Sequence, residues 1–330
     1  MDPILDLIQK GNIAGFTHEV PETVVMSVSR VFIFRDAGKV LKVYRRDSEY
    51  WNKHFSDLSK GDSRSRFIHE DFAANRAVNP GIYGELVCAD IAGGVVVLGP
   101  DDGGSDELVI VMHYMDTRYS FADRLFHQEI SPDDAASIGE QFANIKKILA
   151  PAGKRPNLTW YEFAREHVSD LKVWMDDLVY FLPAEVISEL VQKLSRYIED
   201  SKERFSLIRD DELVYTIDAH GENALWHDGK FELFDILLPM ARWRWTPKEY
   251  DLFRVGADIF ALAGKDAFDS YLRGAKKVYS GFDETDRDFY LLYSGALMVC
   301  ILSALVSSKP EKEPMRRKYD TWFRERLQDF

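Results

Sequence analysis

The chain is poor in cysteine, with only Cys88 and Cys300 among its 330 residues. Two thiols cannot build a disulfide framework and lack the paired spacing of a zinc site, so two buried thiols in a reducing, cytoplasmic compartment are expected. The opening M-D-P-I-L-D-L-I-Q-K has no basic region followed by a long apolar core, which argues against a secretory signal and puts the mature start near Met1. Long apolar runs are also scarce. The stretch from Tyr290 to Val306 carries no charge, but it falls short of the roughly 20 residues that cross a bilayer and contains Ser294, Gly295 and Ser303. A helix buried on most sides is expected there, with no membrane contact.

Cations are in deficit, 42 lysines and arginines against 55 aspartates and glutamates, for a formal charge of −13. Such a surface repels a phosphate backbone, so no nucleic-acid partner is expected, and a cationic small substrate is favoured. The chain also lacks H-E-x-x-H, G-x-S-x-G and a G-x-G-x-x-G after a strand, and His220 and His227 do not have a standard zinc spacing. Metalloprotease, hydrolase and Rossmann chemistries drop out. What remains is 46% hydrophobic and 29% charged, enough for a substantial core in one large domain or two coupled lobes.

The informative stretch that is present is T-I-D-A-H-G-E-N-A-L-W-H-D-G-K-F-E-L-F-D. It sets Asp218, Asn223 and Asp235 at a spacing used for metal-assisted phosphoryl transfer. There an aspartate sits beside the attacking hydroxyl, an asparagine five residues later reaches Mg²⁺, and a second aspartate beyond a short hairpin holds the metal on the phosphates. The segments A-L-W and K-F-E-L-F flank His227-Asp228-Gly229, and Asp-Gly between apolar runs signals the hairpin.

Together these residues make the chain resemble the aminoglycoside phosphotransferase family, whose members carry a motif of the type H-G-D-x-H-x-x-N followed by a hairpin and an aspartate. Asp218, His220, Asn223 and Asp235 match it, and Thr216-Ile217 replace the leading His-Gly. The chain is especially similar to a bacterial phosphotransferase-like branch of unsettled substrate, which also has a segment like F-I-H-E-D-F-A-A-N-R before its middle strands. The likeness runs from about Val24 to about Leu305. It implies an α+β, two-lobed protein kinase-like fold with a small β-rich N-lobe and a larger helical C-lobe.

The element signals agree with that division. V-V-M-S-V-S, V-F-I-F and V-L-K-V-Y-R predict a meander, with further strands near Tyr83 to Asp90, Gly94 to Leu98 and Leu108 to His113 and one inserted helix. After Met115 the signals become helix starts: Ser131-Pro132 with Asp134, Thr159 with Glu162, and Thr246-Pro247 with Glu249. A-P-A-G-K-R-P-N from Ala150 to Asn157 reads as a loop. A nucleotide-binding lobe is expected over residues 1–115 and a helical lobe with the catalytic loop and acceptor site over 116–330.

Within the first lobe, Lys42 in V-L-K-V-Y-R is the expected α/β-phosphate lysine, with Lys39 as its rival. Its acidic partner is Glu70 or Asp71. Asp71 better matches the family's position by its distance from Asn75, while Glu70 has the longer reach. No glycine-rich turn covers the phosphates, and Ser27 and Ser29 are expected to contribute there instead. V-I-V-M-H-Y-M-D looks like the family's hinge, so backbone groups from His113 to Met115 are expected at the adenine edge.

The chemistry follows from a loose transition state with charge on the peripheral oxygens, where positioning and charge neutralisation dominate. Asp218 would orient and deprotonate the acceptor hydroxyl, Asn223 and Asp235 would hold Mg²⁺, and Lys42 would grip the remaining phosphates of ATP or GTP. His220 either reaches the transferred phosphoryl group or is a structural imidazole. Glu222 is a third metal ligand or an exposed loop charge. Asp258, on an apolar helical stretch, matches the family's aspartate that braces the catalytic loop. A-R-W-R-W around Arg242 lines an acceptor pocket or is surface packing. The expected activity is phosphoryl transfer to a small hydroxylated molecule, because the distance from Asp235 to Pro247 leaves no long activation segment and no A-P-E follows. The alternative is a weak or inactive relative that binds nucleotide as a sensor or partner module.

Overall fold

The computed structural model describes residues 3–16, 19–26, 28–101, 103, 107–149, 157–176, 182–208, 212–279 and 281–330. The chain forms two compact units, Met1–Thr117 with Leu233–Met240, and Arg118–Glu232 with Ala241–Phe330. A stretch from late in the chain, Leu233–Met240, therefore belongs to the first unit.

The first unit opens with α1 (Pro3–Gln9) and is built on six strands: β1 (Glu22–Val25), β2 (Ser29–Phe34), β3 (Lys39–Tyr44), β4 (Tyr83–Ala92), β5 (Val95–Pro100) and β6 (Leu108–His113). Two helices, α2 (Glu49–His54) and α3 (Gly61–Val78), lie between β3 and β4, where the sequence suggested one. The sheet is antiparallel in the order β1-β2-β3-β6-β4-β5. Side chains alternate between its faces, as the period of two requires. On β3, Val40 and Tyr44 belong to the core shared with Phe67 and Ile68 of α3, and Leu41 and Val43 to the core shared with Leu5 and Ile8 of α1. Lys42 falls by that alternation on the α3 face, with only 4% of its surface exposed.

The second unit holds α4 (Phe121–Phe126), α5 (Pro132–Ile148), α6 (Trp160–Asp176), α7 (Ala184–Asp200), α8 (Lys202–Leu207), β7 (Leu213–Tyr215), β8 (Ala224–His227), β9 (Lys230–Leu233), β10 (Trp245–Pro247), α9 (Lys248–Ala263), α10 (Lys265–Val278), α11 (Arg287–Val306) and α12 (Glu313–Asp329). Ser131 closes a capping box with Asp134 at the start of α5, and the Thr159 backbone N–H donates to Glu162 at 2.7 Å at the start of α6. Thr246 behaves differently from its helix-start signal. It lies in β10, paired antiparallel with β7, and its hydroxyl bonds to that of Thr216.

Helices α5 and α10 approach closely enough to require glycine. A Cβ on Gly274 would sit 1.8 Å from the Ala136 carbonyl oxygen, and one on Gly139 would sit 2.0 Å from that of Tyr271. Among the described residues α11 is the one helix long and apolar enough to cross a membrane, and 78% of its apolar window is buried inside the protein. The segment from Ala150 to Asn157 lies outside the described residues apart from Asn157.

Candidate active site

In the first unit, the expected lysine and two of the expected carboxylates meet. Lys42 Nζ donates to Asp235 Oδ1 at 2.6 Å and to Asp71 Oδ2 at 3.1 Å. Burial disfavours the ammonium, but Asp235 and Asp71 outweigh it and hold the Lys42 pKa well above the ordinary lysine value. The choice between Glu70 and Asp71 is settled by the sides of α3: Asp71 is 1% exposed and faces Lys42, whereas Glu70 is half-buried beside it. Burial pushes the Asp71 carboxyl up, and Lys42 opposes that shift.

Asn75, one turn after Asp71, extends the cluster. Its Nδ2 donates to Asp71 Oδ1 at 2.8 Å and its Oδ1 accepts from the Ile236 backbone N–H at 3.0 Å. The neighbouring Asp235 N–H donates to the Tyr83 hydroxyl at 2.9 Å. Asp235 itself has φ +54°, in the left-handed region that aspartate tolerates better than most residues. Backbone hydrogen bonds at Asp235 and Ile236 fix this turn, and the Asp235 side chain, bonded to Lys42 through one oxygen, is 44% exposed. Sequence reasoning had no role for Asn75 or Tyr83. The i, i+4 spacing of Asp71 and Asn75 was the available signal for the first.

Of the two serines expected over the phosphates, one is described. Ser29 is a strand residue opposite Tyr44, 2% exposed, and its carbonyl accepts from Met26 N–H at 2.8 Å, so it belongs to the hairpin ladder. Ser27 lies outside the described residues. In the segment expected at the adenine edge, His113 N–H donates to the Ile82 carbonyl and Tyr114 N–H to that of Gly38. Met115 follows, half-buried, after the strand ends.

In the second unit, Asp218, His220 and Asn223 share one loop between β7 and β8. Asn223 Nδ2 donates to the Asp218 carbonyl at 3.1 Å, closing the loop on itself across the five-residue spacing. His220, 5% exposed, places Nε2 3.9 Å from Asp218 Oδ2. Its position is that of an imidazole packed within the loop. The Asp-Gly hairpin follows, with Asp228 and Gly229 both at positive φ, the combination that joins β8 to β9 in a two-residue turn.

Helix α9 holds this loop through a polar stripe at i, i+3 and i+7, in a helix otherwise almost wholly buried. Asp251, ion-paired with buried Lys146, lies 3.4 Å from the Ile217 N–H. Arg254 is ion-paired with Asp218 Oδ1. Burial works against the Arg254 charge, and Asp218 outweighs it, so its pKa rises. Asp258 Oδ2 accepts from the Gly221 N–H at 2.5 Å, the bracing contact expected of it, and its other oxygen accepts from the Tyr319 hydroxyl at 3.0 Å. Burial pushes the Asp258 carboxyl up to about 7, against both of those hydrogen bonds. Arg254 and Asp251 were missed from sequence. Their signal is the cost of three charges on one buried helical face, which only specific partners offset.

Thr216, standing where the resembled motif has histidine, is fully buried and bonds to Thr246. A hydroxyl pair thus supports the loop's entry. Arg242 donates twice to Asp170, at 2.6 Å each, and Trp243 Nε1 donates to the same carboxylate at 2.8 Å, so the A-R-W-R-W segment packs on α6. Among the described residues no group of three or more His, Cys, Asp or Glu could hold a metal alone.

These two units have the architecture of the two-lobed protein kinase-like fold, an antiparallel N-terminal sheet followed by a larger helical part. Solved structures of small-molecule kinases are among those this chain is similar to. A choline kinase from Cryptosporidium parvum Iowa II matches 99% of this chain and 95% of its own at TM-score 0.50 and 12% identity. The GDP and kanamycin complex of APH(2")-IIia matches 98% of each chain at TM-score 0.50 and 9% identity. At these identities the likeness is one of fold. No protein-family model matches the sequence, and no curated protein does.

Proposed function

We propose that the protein is a nucleotide-dependent phosphotransferase that moves the γ-phosphoryl group of ATP or GTP to a hydroxyl of a small molecule. The observation that carries this reading is the buried Lys42 ammonium bonded to both Asp71 and Asp235, residues 29 and 193 positions away. An ordinary core has no use for a lysine between two carboxylates, whereas phosphoryl transfer needs an oriented cation and an exposed metal-binding carboxylate.

Lys42 binds phosphate oxygens in this reading, and Asp71 with Asn75 keeps it extended toward them. Asn223 and Asp235 hold Mg²⁺, which supplies charge neutralisation on the phosphates. Asp218 orients the acceptor hydroxyl and takes its proton, with Arg254 fixing the carboxylate's direction and His220 packing against it. The structures of similar fold include a choline kinase and APH(2")-IIia in complex with GDP and kanamycin, and choline and kanamycin are both small, hydroxylated and cationic. A charge of −13 on this chain favours an acceptor of that kind.

The Arg254–Asp218 pair also favours a second reading, because one oxygen of the catalytic carboxylate is already bonded. In that reading the protein binds nucleotide without turnover, as a sensor or partner module. Nucleoside-diphosphate release from Mg·ATP and Mg·GTP, measured across small hydroxylated amines and sugars for wild type and Asp218→Asn, separates the two. Acceptor-dependent release lost in the variant supports transfer. Release from neither protein, with nucleotide still raising the melting temperature, supports the second reading.

A further inference from the structure

Glu222 lies one residue before Asn223, in the short helical turn Gly221–Asn223, and its carboxylate is 11% exposed. Lys312 Nζ donates to Glu222 Oε1 at 2.8 Å and to Asp123 Oδ1 of α4 at 2.8 Å. That ammonium is 8% exposed, and it comes from the turn immediately before α12. The same terminal helix reaches the adjacent loop residue by a second route, since the Tyr319 hydroxyl donates to Asp258, which accepts from Gly221 N–H. Glu222 is thus held directly by Lys312, 90 residues later, and Gly221 through Asp258 of α9, to which Tyr319 donates.

We infer that Lys312 is a positioning residue for the loop that carries Asp218 and Asn223. It cancels the Glu222 charge and pins that carboxylate to the α4 side, so that the extra anion neither repels a polyphosphate nor competes with Asn223 for a cation. The second half of this inference rests on the phosphotransferase reading. The first half, that Lys312 holds the loop, does not. Burial and two short hydrogen bonds argue against an incidental surface pair, whose effect would be small.

The test uses the full chain as Lys312→Met, Glu222→Gln and the double variant. Amide hydrogen exchange at Gly221–Asn223, read without nucleotide, should accelerate about tenfold or more in Lys312→Met, with the amides of α7 unchanged. The Mg²⁺ concentration giving half-maximal nucleotide binding should rise in Lys312→Met and return toward wild type in the double variant, because the buried Glu222 carboxylate is then no longer left charged without its ammonium. A purely structural lysine would not be rescued by Glu222→Gln. Loop exchange at the wild-type rate in Lys312→Met, or a double variant no better than the single, overturns the inference. If Lys312→Met does not fold, recovery of a folded protein by adding Glu222→Gln supports it and failure to recover overturns it. Absence of nucleotide binding in wild type counts against the phosphotransferase reading alone, and the exchange data still decide whether Lys312 holds the loop.

Discussion

Lys42 and Asp235, 193 residues apart, are joined by a hydrogen-bonded ion pair of 2.6 Å. The pair ties a strand lysine to the residue that follows the β8–β9 hairpin, and Asp71 completes it from α3.

Removing the cation therefore strands charge. Lys42→Met leaves Asp71, 1% exposed, without its ammonium and should cost about 3–5 kcal/mol of stability. Asp71→Asn, which keeps the shape and a hydrogen-bonding group, should cost less. Urea midpoints at constant m-value check the order, and equal losses would show that packing, and not charge, dominates the site.

Arg254→Met frees the Asp218 carboxylate from its fixed direction. In the proposed transfer, which depends on placing reacting groups within a fraction of an ångström, kcat should fall roughly 10²-fold while KM for nucleotide moves little. Steady-state kinetics with a single acceptor measure the split. A change confined to KM would place Arg254 in binding.

Much of the N-terminal sheet was legible because its strands are β-branched runs with alternating faces, and β6 runs from Leu108 to His113 as read. The side of α3 that faces inward was not, since Glu70 and Asp71 are adjacent and only the packed sheet selects one. Thr246-Pro247 gave a sound local helix start, yet a non-local pairing with β7 drew both residues into a strand and moved the start of α9 to Lys248. The stripe Asp251, Arg254 and Asp258 was half legible: Asp258 stood out in an apolar run, but the partners of the other two come from α5 and the loop between β7 and β8. The Lys312 contact spans 90 residues and has no local signature.

Gly274→Ala introduces a methyl 1.8 Å from the Ala136 carbonyl oxygen, backbone that cannot rotate away. Helices α5 and α10 must separate, at a cost of roughly 1–3 kcal/mol or more. The melting temperature reports it, and an unchanged value would mean that the two helices slide without loss of packing.

His167 is buried among Trp160, Phe163, Tyr250 and Tyr293, and burial pulls its pKa from 6.5 down to about 4. Asp170 and the Arg242 carbonyl oppose that shift, and the Arg242 charge adds to it. A depressed folded pKa gives stability that is fully present above about 6.5 and is lost as pH falls toward 4, about 3 kcal/mol in all. Unfolding free energy measured from pH 7 to pH 4 should fall more steeply for wild type than for His167→Leu. Parallel curves would contradict a buried neutral imidazole.

The most direct test of the central claim is calorimetric titration of the protein with ATP, with and without Mg²⁺, for wild type and Lys42→Met. The account predicts Mg²⁺-dependent binding to wild type that weakens at least about tenfold in the variant while the variant remains folded. Undetectable binding to wild type, or equal affinity in both proteins, would contradict the assignment of Lys42, Asp71 and Asp235 to a phosphate and metal site.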